Sequence, residues 1–260
     1  MFFKYSFIFF TIVFITVSCG RKEKFPEIKF ERITREKVEI NYSAEDSTKE
    51  SEMLSSGAEE SEKAISDLLK MKEFYVERDQ QFNLDLFEKK WAGFNIYTEK
   101  FNTDQLMEWI DATGYLLELT GDNKYGEALE DLIYQSKFYL NDEVKNLVKS
   151  FIYTKNVDHI QLNMFVNSTI EYNHTLGGTV KITQDNDFPE SGKLIVTFNV
   201  TEHPYVELFI RIPSWAKGAT VTALSVKYVA TPGEYCQIAR KWKDGDTVEI
   251  LLPIEKRPKN

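Results

Sequence analysis

Leu147-Val148-Lys149-Ser150-Phe151-Ile152-Tyr153-Thr154-Lys155-Asn156-Val157-Asp158-His159-Ile160-Gln161-Leu162-Asn163-Met164-Phe165-Val166 is where the chain changes its period. Before it, Val144, Leu147, Val148 and Phe151 fall on one face of a helix that starts at Asn141-Asp142. After about residue 156, Ile160, Leu162, Met164 and Val166 alternate with Gln161 and Asn163. A spacing of three or four positions stacks apolar side chains along a helix, whereas a spacing of two puts them on one side of a strand. The change therefore predicts an α+β chain, with helical hairpins first and an antiparallel β-sandwich second.

The pattern extends both ways. Upstream, Ala64, Ile65, Leu68 and Leu69 share a face, and Leu106, Trp109, Ile110, Thr113, Leu116 and Leu117 form a longer stripe with Asn102 or Thr103 as its cap. Leu119-Thr120-Gly121-Asp122 ends that helix, with Gly121 suited to a left-handed C-cap, and another helix from Asn123 buries Tyr125, Ala128, Leu129, Leu132 and Ile133. Downstream, strands are expected over Thr179 to Thr183, Lys193 to Asn199, Val206 to Ile212, Glu234 to Arg240 and Thr247 to Leu252. Pro189, Gly192, Pro204, Pro213, Gly218, Pro232-Gly233 and Asp244-Gly245 punctuate them, the spacing of a sandwich. The helical region is placed at 58–155 and the sandwich domain at 156–260.

At the other end, Lys4 precedes an uncharged run from Tyr5 to Val17, shorter than the roughly 20 residues that span a bilayer as a helix. Its length and flanks suit a secretory signal over residues 1–18. The run closes on Thr16-Val17-Ser18-Cys19-Gly20, which resembles the lipobox of bacterial lipoproteins, with Thr16 where Leu is usual. The resemblance implies cleavage before Cys19 and a lipid on its thiol, and hence a protein anchored to the cell envelope, with the membrane face left open. Residues 19–57 are charged and poor in apolar clusters and read as a polar tether. Within them Val38, Ile40 and Tyr42 alternate with Glu39 and Asn41 as in a short strand.

A net charge of -9 argues against nucleic acid and against loose binding to anionic lipid headgroups. Cys19 and Cys236 are the two cysteines in the sequence. With Cys19 lipidated, neither an intrachain disulfide nor a zinc site with two thiolates can form, so stability rests on packing. No cofactor or metal is implied by any other motif.

Leu208-Phe209-Ile210-Arg211-Ile212-Pro213-Ser214-Trp215-Ala216-Lys217-Gly218-Ala219, then Pro232-Gly233-Glu234-Tyr235, then Arg240-Lys241-Trp242-Lys243-Asp244-Gly245-Asp246-Thr247-Val248-Glu249 resemble the C-terminal sandwich of glycoside hydrolase family 127, known for β-L-arabinofuranosidase activity. Thr183-Gln184-Asp185 leading to Phe188-Pro189 and Gly192-Lys193 is similar to the same family, as is the Leu119-Thr120-Gly121-Asp122 turn followed by Lys124-Tyr125. The resemblance implies that the helices are a partial remnant of an α/α barrel. It also implies a family catalytic site of zinc held by one Glu and three Cys, one thiolate acting as nucleophile. Here Asn102-Thr103-Asp104 stands where the family's first ligands fall, and Phe138-Tyr139-Leu140-Asn141 where its paired cysteines fall, so no ligand transfers.

Other candidates remain. Glu108 and Asp111, one turn apart, are a candidate carboxylate pair for glycoside hydrolysis, set against the ordinary reading of solvated helix charges. Trp91 and Trp109 are candidate sugar-stacking rings, although Trp109 also fits the core stripe. Cys236 reads as a small buried residue, Trp215 and Trp242 as structural, and His159, His174 and His203 as solvated or locally bonded. Whether the protein is an enzyme stays open. Three readings are carried forward: a non-catalytic carbohydrate-handling lipoprotein, an active hydrolase using a carboxylate pair, and a structural lipoprotein or truncated gene product without ligand. The partners implied are the membrane, and a plant-type glycan or a partner glycosidase.

Overall fold

The computed structural model describes residues 31–32, 38–39, 84–93, 102–134 and 141–258. Cys19, the stripe at Ala64 to Leu69 and Phe138-Tyr139-Leu140 lie outside them. Among the described residues four helices lie between two short strands, Glu31–Arg32 and Val38–Glu39, and the body of the sandwich: α1 (Leu84–Ala92), α2 (Thr103–Thr120), α3 (Asn123–Tyr134) and α4 (Asp142–Lys149). The sequence reading did not single out α1, a nine-residue helix that packs Leu84, Phe87 and Trp91 against the core. α2 opens with a reciprocal capping box, in which Asn102 accepts from the Gln105 backbone N–H and Gln105 accepts from that of Asn102. It closes at Gly121 (φ 64°), whose N–H donates to Leu117 O at 2.8 Å. The left-handed conformation costs glycine little, and it turns the chain straight into α3.

Two sheets follow. A five-stranded sheet has the order β1-β3-β4-β8-β11, from β1 (Glu31–Arg32), β3 (Tyr153–Asn156), β4 (His159–Leu162), β8 (Tyr205–Arg211) and β11 (Tyr235–Lys241). A seven-stranded sheet has the order β10-β9-β12-β7-β6-β5-β2, from β10 (Val226–Tyr228), β9 (Thr220–Ala223), β12 (Asp246–Leu251), β7 (Lys193–Val200), β6 (Thr179–Asn186), β5 (Ser168–Asn173) and β2 (Val38–Glu39). The α+β architecture and the sandwich expected from the periodicity are both present. One pair departs from antiparallel order: β4 and β8 run parallel, because the chain crosses to the other sheet for β5, β6 and β7 before returning beside β4. Strands β3, β5, β9 and β10 were not foreseen, nor was β1. Val38–Glu39 falls within the alternation that suggested a strand there, and it pairs with β5.

The core lies between the sheets. Ile160, Leu162, Val206, Leu208, Ile210 and Ile238 from one face Ile170, Ile182, Leu194, Val196, Phe198, Val248 and Ile250 from the other, all shielded from solvent. Trp242 closes one end: its ring stacks on Phe198 (3.7 Å between centroids, 6° between planes) and its indole N–H donates to Val206 O at 2.9 Å. On the outer side of the larger sheet, Thr169, Thr183, Thr197 and Thr247 align in register as one rung, the polar half of the alternation. Among the described residues no helix is long and apolar enough to cross a membrane.

Candidate functional site

Trp91 and Trp109 meet in one aromatic cluster between α1, α2 and α3. Trp91, half-buried, stacks on Trp109 (6.2 Å, 20°), meets Tyr125 edge-on (4.7 Å, 73°) and donates its N–H to Thr113 Oγ1 at 2.8 Å. Trp109 is 3% exposed. A sugar stacks on an open ring face, and Trp109 presents none, so the core reading of this residue prevails over the stacking one. Beside this cluster, the Tyr125 hydroxyl donates to Glu88 at 2.6 Å, and Lys124 bridges Glu88 (3.1 Å) and Asp122 (2.9 Å). The Tyr125 hydrogen bond holds the Glu88 carboxyl below the usual carboxylate range, against the opposing effect of burial. Glu88 is therefore an ionised acceptor at neutral pH, unsuited to donate a proton to a leaving group.

Glu108 and Asp111 sit on α2, both partly exposed. Burial, with help from Asp104, pushes the Glu108 carboxyl up, the direction a general acid needs. Adjacent turns of one helix present both carboxyls from the same side, whereas glycoside hydrolysis needs them flanking the scissile bond.

At the positions that would supply the family's zinc ligands, side chains are used locally. Asn102 Oδ1 caps α2 and Asn141 Oδ1 caps α4, accepting from Val144 N at 2.9 Å. Cys236 is far along the chain, buried between the sheets on β11, and burial pushes its thiol up to about 11. Among the described residues no group of three or more His, Cys, Asp and Glu is arranged to hold a metal ion. Among the described residues, with Cys236 buried in the sandwich, none fits a zinc–thiolate group.

The densest polar network is the seam where α3 docks on the smaller sheet. Arg211, fully buried on the outward side of β8, places Nη2 2.5 Å from Glu130 Oε2, and Glu130 itself is 2% exposed. Arg211 Nε donates to Asn163 O at 2.5 Å, and Glu130 Oε1 accepts the Phe165 backbone N–H at 2.6 Å. Asn163 Oδ1 accepts from the Tyr235 hydroxyl at 2.7 Å. The Asn123 amide donates to Ile212 O and Glu234 O, and Glu127 accepts from the Ser214 backbone N–H and hydroxyl. Gly126 lets α3 approach this closely, since a Cβ there would lie 3.0 Å from Asn163 O and 3.2 Å from Arg211 Cδ. Arg211, Ile212 and Ser214 all belong to the Leu208 to Ala219 motif, so this part of the motif docks a helix. Sequence reasoning missed this seam. Its signal was an arginine on the polar phase of a strand and a glutamate on a helix that also carries Gly126, but neither position reveals its partner.

The sandwich can now be placed among known proteins. Residues 159–254 match the family 127 β-L-arabinofuranosidase middle domain. The match takes in the docking motif and leaves out all four helices. Similar solved structures include a glycoside hydrolase (24% identity, TM-score 0.47, covering 57% of this chain and 32% of that one). A family 127 β-L-arabinofuranosidase from Geobacillus stearothermophilus T6 is similar to the same degree (24% identity, TM-score 0.47, 57% and 30% coverage). A second family 127 β-arabinofuranosidase is 19% identical, with a TM-score of 0.45 and 56% and 32% coverage. The chain spans about a third of the length of these structures. No curated protein matches it.

Proposed function

We propose that this chain is a lipid-anchored protein of the bacterial cell envelope, related to family 127, that handles carbohydrate without hydrolysing it. It would bind glycan itself or serve as partner to a complete hydrolase. The observation that carries the non-catalytic half is the thiol count: two cysteines, one of them Cys19 in the lipobox-like Thr16-Val17-Ser18-Cys19-Gly20 and the other buried in β11. A site built from three thiolates has no material here, and Asn102 and Asn141 cap helices where its ligands would fall. The carbohydrate half rests on the relation of the sandwich to a glycosidase middle domain.

A glycan array probed with the purified protein, run beside a turnover assay on aryl β-L-arabinofuranosides, tests both halves. Glycan binding without turnover is the expected result. Turnover abolished by Glu108→Gln would replace the proposal with the carboxylate-pair hydrolase, and silence in both assays would leave a structural lipoprotein. The anchor is tested separately: Cys19→Ser should move the protein from the membrane fraction to the soluble one, and unchanged membrane retention would refute lipidation at this residue.

A further inference from the structure

On the outer face of the smaller sheet, β4, β8 and β11 align His159 with Glu207 and Ala239, and Gln161 with Phe209 and Gln237. α3 covers one end of this face, over Arg211 and Tyr235. One to three rungs away, Gln237 and Ala239 are exposed, Tyr205 is 44% exposed, and the His159 and Glu207 side chains keep 29% and 19% of their surface. Glu207 is held from three sides: Gln237 Nε2 donates to Oε2 at 2.7 Å, the Tyr205 hydroxyl donates to Oε1 at 3.2 Å, and His159 Nε2 stands 3.6 Å from Oε2. The His159 ring is itself fixed edge-on to Phe209 at 5.8 Å. Strands fix the backbone of every member, and their contacts with one another hold the side chains around Glu207 before a ligand arrives.

We propose that this cluster is a binding site for a neutral polyhydroxylated ligand, a sugar, with Glu207 accepting hydrogen bonds from its hydroxyls and the Tyr205 ring lying against its carbon face. The ligand class follows from the chemistry of the cluster. An ionised carboxylate offers about four acceptor positions, and two direct hydrogen bonds leave capacity toward solvent. That capacity calls for O–H donors, and the charge repels phosphates and acids. Ala239, beside Glu207 in register, is the short residue between Gln237 and Lys241, so the ligand has space on the β11 side of the carboxylate. Tyr205 adds an aromatic surface without deep burial. The site rests on the carbohydrate reading above but lies away from Trp91, Trp109, Glu108 and Asp111, and it assigns that reading to residues the motifs did not single out.

Saturation-transfer NMR on the full-length protein in detergent, with L-arabinose and arabino-oligosaccharides as probes, tests the site. Wild-type protein should give transfer to the sugar. Glu207→Ala should weaken binding at least about tenfold, the loss of a charge-assisted hydrogen bond, with the melting temperature unchanged. Tyr205→Ala should weaken it too, and Glu108→Gln should leave it intact. If Glu207→Ala and Tyr205→Ala bind as wild type does, the sheet site is refuted while the carbohydrate reading survives. If wild type binds neither these probes nor the array, both are refuted.

Discussion

Replacing Arg211 with methionine strips the α3 seam of its cation while keeping most of its volume. In the native protein the guanidinium is fully buried and lies 2.5 Å from a Glu130 carboxylate that is 2% exposed. Without it, Glu130 becomes an uncompensated buried charge, which costs about 3–5 kcal/mol. Asn163 O also loses the Nε donor at 2.5 Å, and the Phe165 ring loses a cation 5.1 Å from its centre. These losses overlap because they share one side chain, so the expected total is about 4–5 kcal/mol, close to the whole stability of a marginal domain. The double variant Arg211→Met/Glu130→Leu removes both charges; beyond the unmet Asn163 O that it shares with the single variant, it leaves one unmet donor, the Phe165 N–H that Glu130 accepts at 2.6 Å. That defect costs about 1–3 kcal/mol, so the double variant should be more stable than the single by about 2 kcal/mol. Guanidinium unfolding followed by circular dichroism measures all four corners of the cycle. An Arg211→Met cost below about 1 kcal/mol, or a double variant no better than the single, would refute the argument that this pair clamps helices to sandwich.

Gly114→Ala gains about 1 kcal/mol of helix propensity but drives a methyl to 1.9 Å from Phe151 Cζ, so a net loss of about 1–2 kcal/mol is expected, and a raised melting temperature would contradict it. The β9–β10 turn forces Leu224 (φ 47°) and Ser225 (φ 69°) into left-handed backbone, so Leu224→Asn with Ser225→Gly should stabilise by about 1 kcal/mol, read as a higher denaturation midpoint. Burial, with the charge of Glu130, pushes the Asp131 carboxyl from 3.8 to about 6, against the pull of Arg257. A raised acid binds its proton more tightly when folded, so its ionised form weakens the fold above about pH 6 and the penalty fades as pH falls toward 4. Asp131→Asn should therefore raise the melting temperature at about pH 8 and change little at about pH 4. A shift that is the same at both would count against this assignment.

Local periodicity determined much of this protein. The 3.6-residue stripe from Leu106 to Leu117, the caps at Asn102 and Gly121, and the alternation from Ile160 and from Lys193 were legible because each depends on neighbours within a few positions. So was the thiol count, which needs no structure. Several elements were not: α1 was passed over although α4, one residue shorter, was read, and β10 is a three-residue edge strand whose role depends on a partner elsewhere. The parallel β4–β8 pair was hidden for the same reason, since alternation gives the faces of a strand but not its neighbours. Arg211 shows the limit most directly. Its strand phase says that the side chain points away from the sandwich core, toward where water would be expected, yet it is fully buried, because Gly126 lets α3 close over it and bring Glu130 into contact. Glu207 shares that outward phase on the same strand but stays partly open, because the helix stops short of it. Sequence assigns both residues to one face; only the placement of a single helix decides which becomes a buried clamp and which is left to meet a ligand.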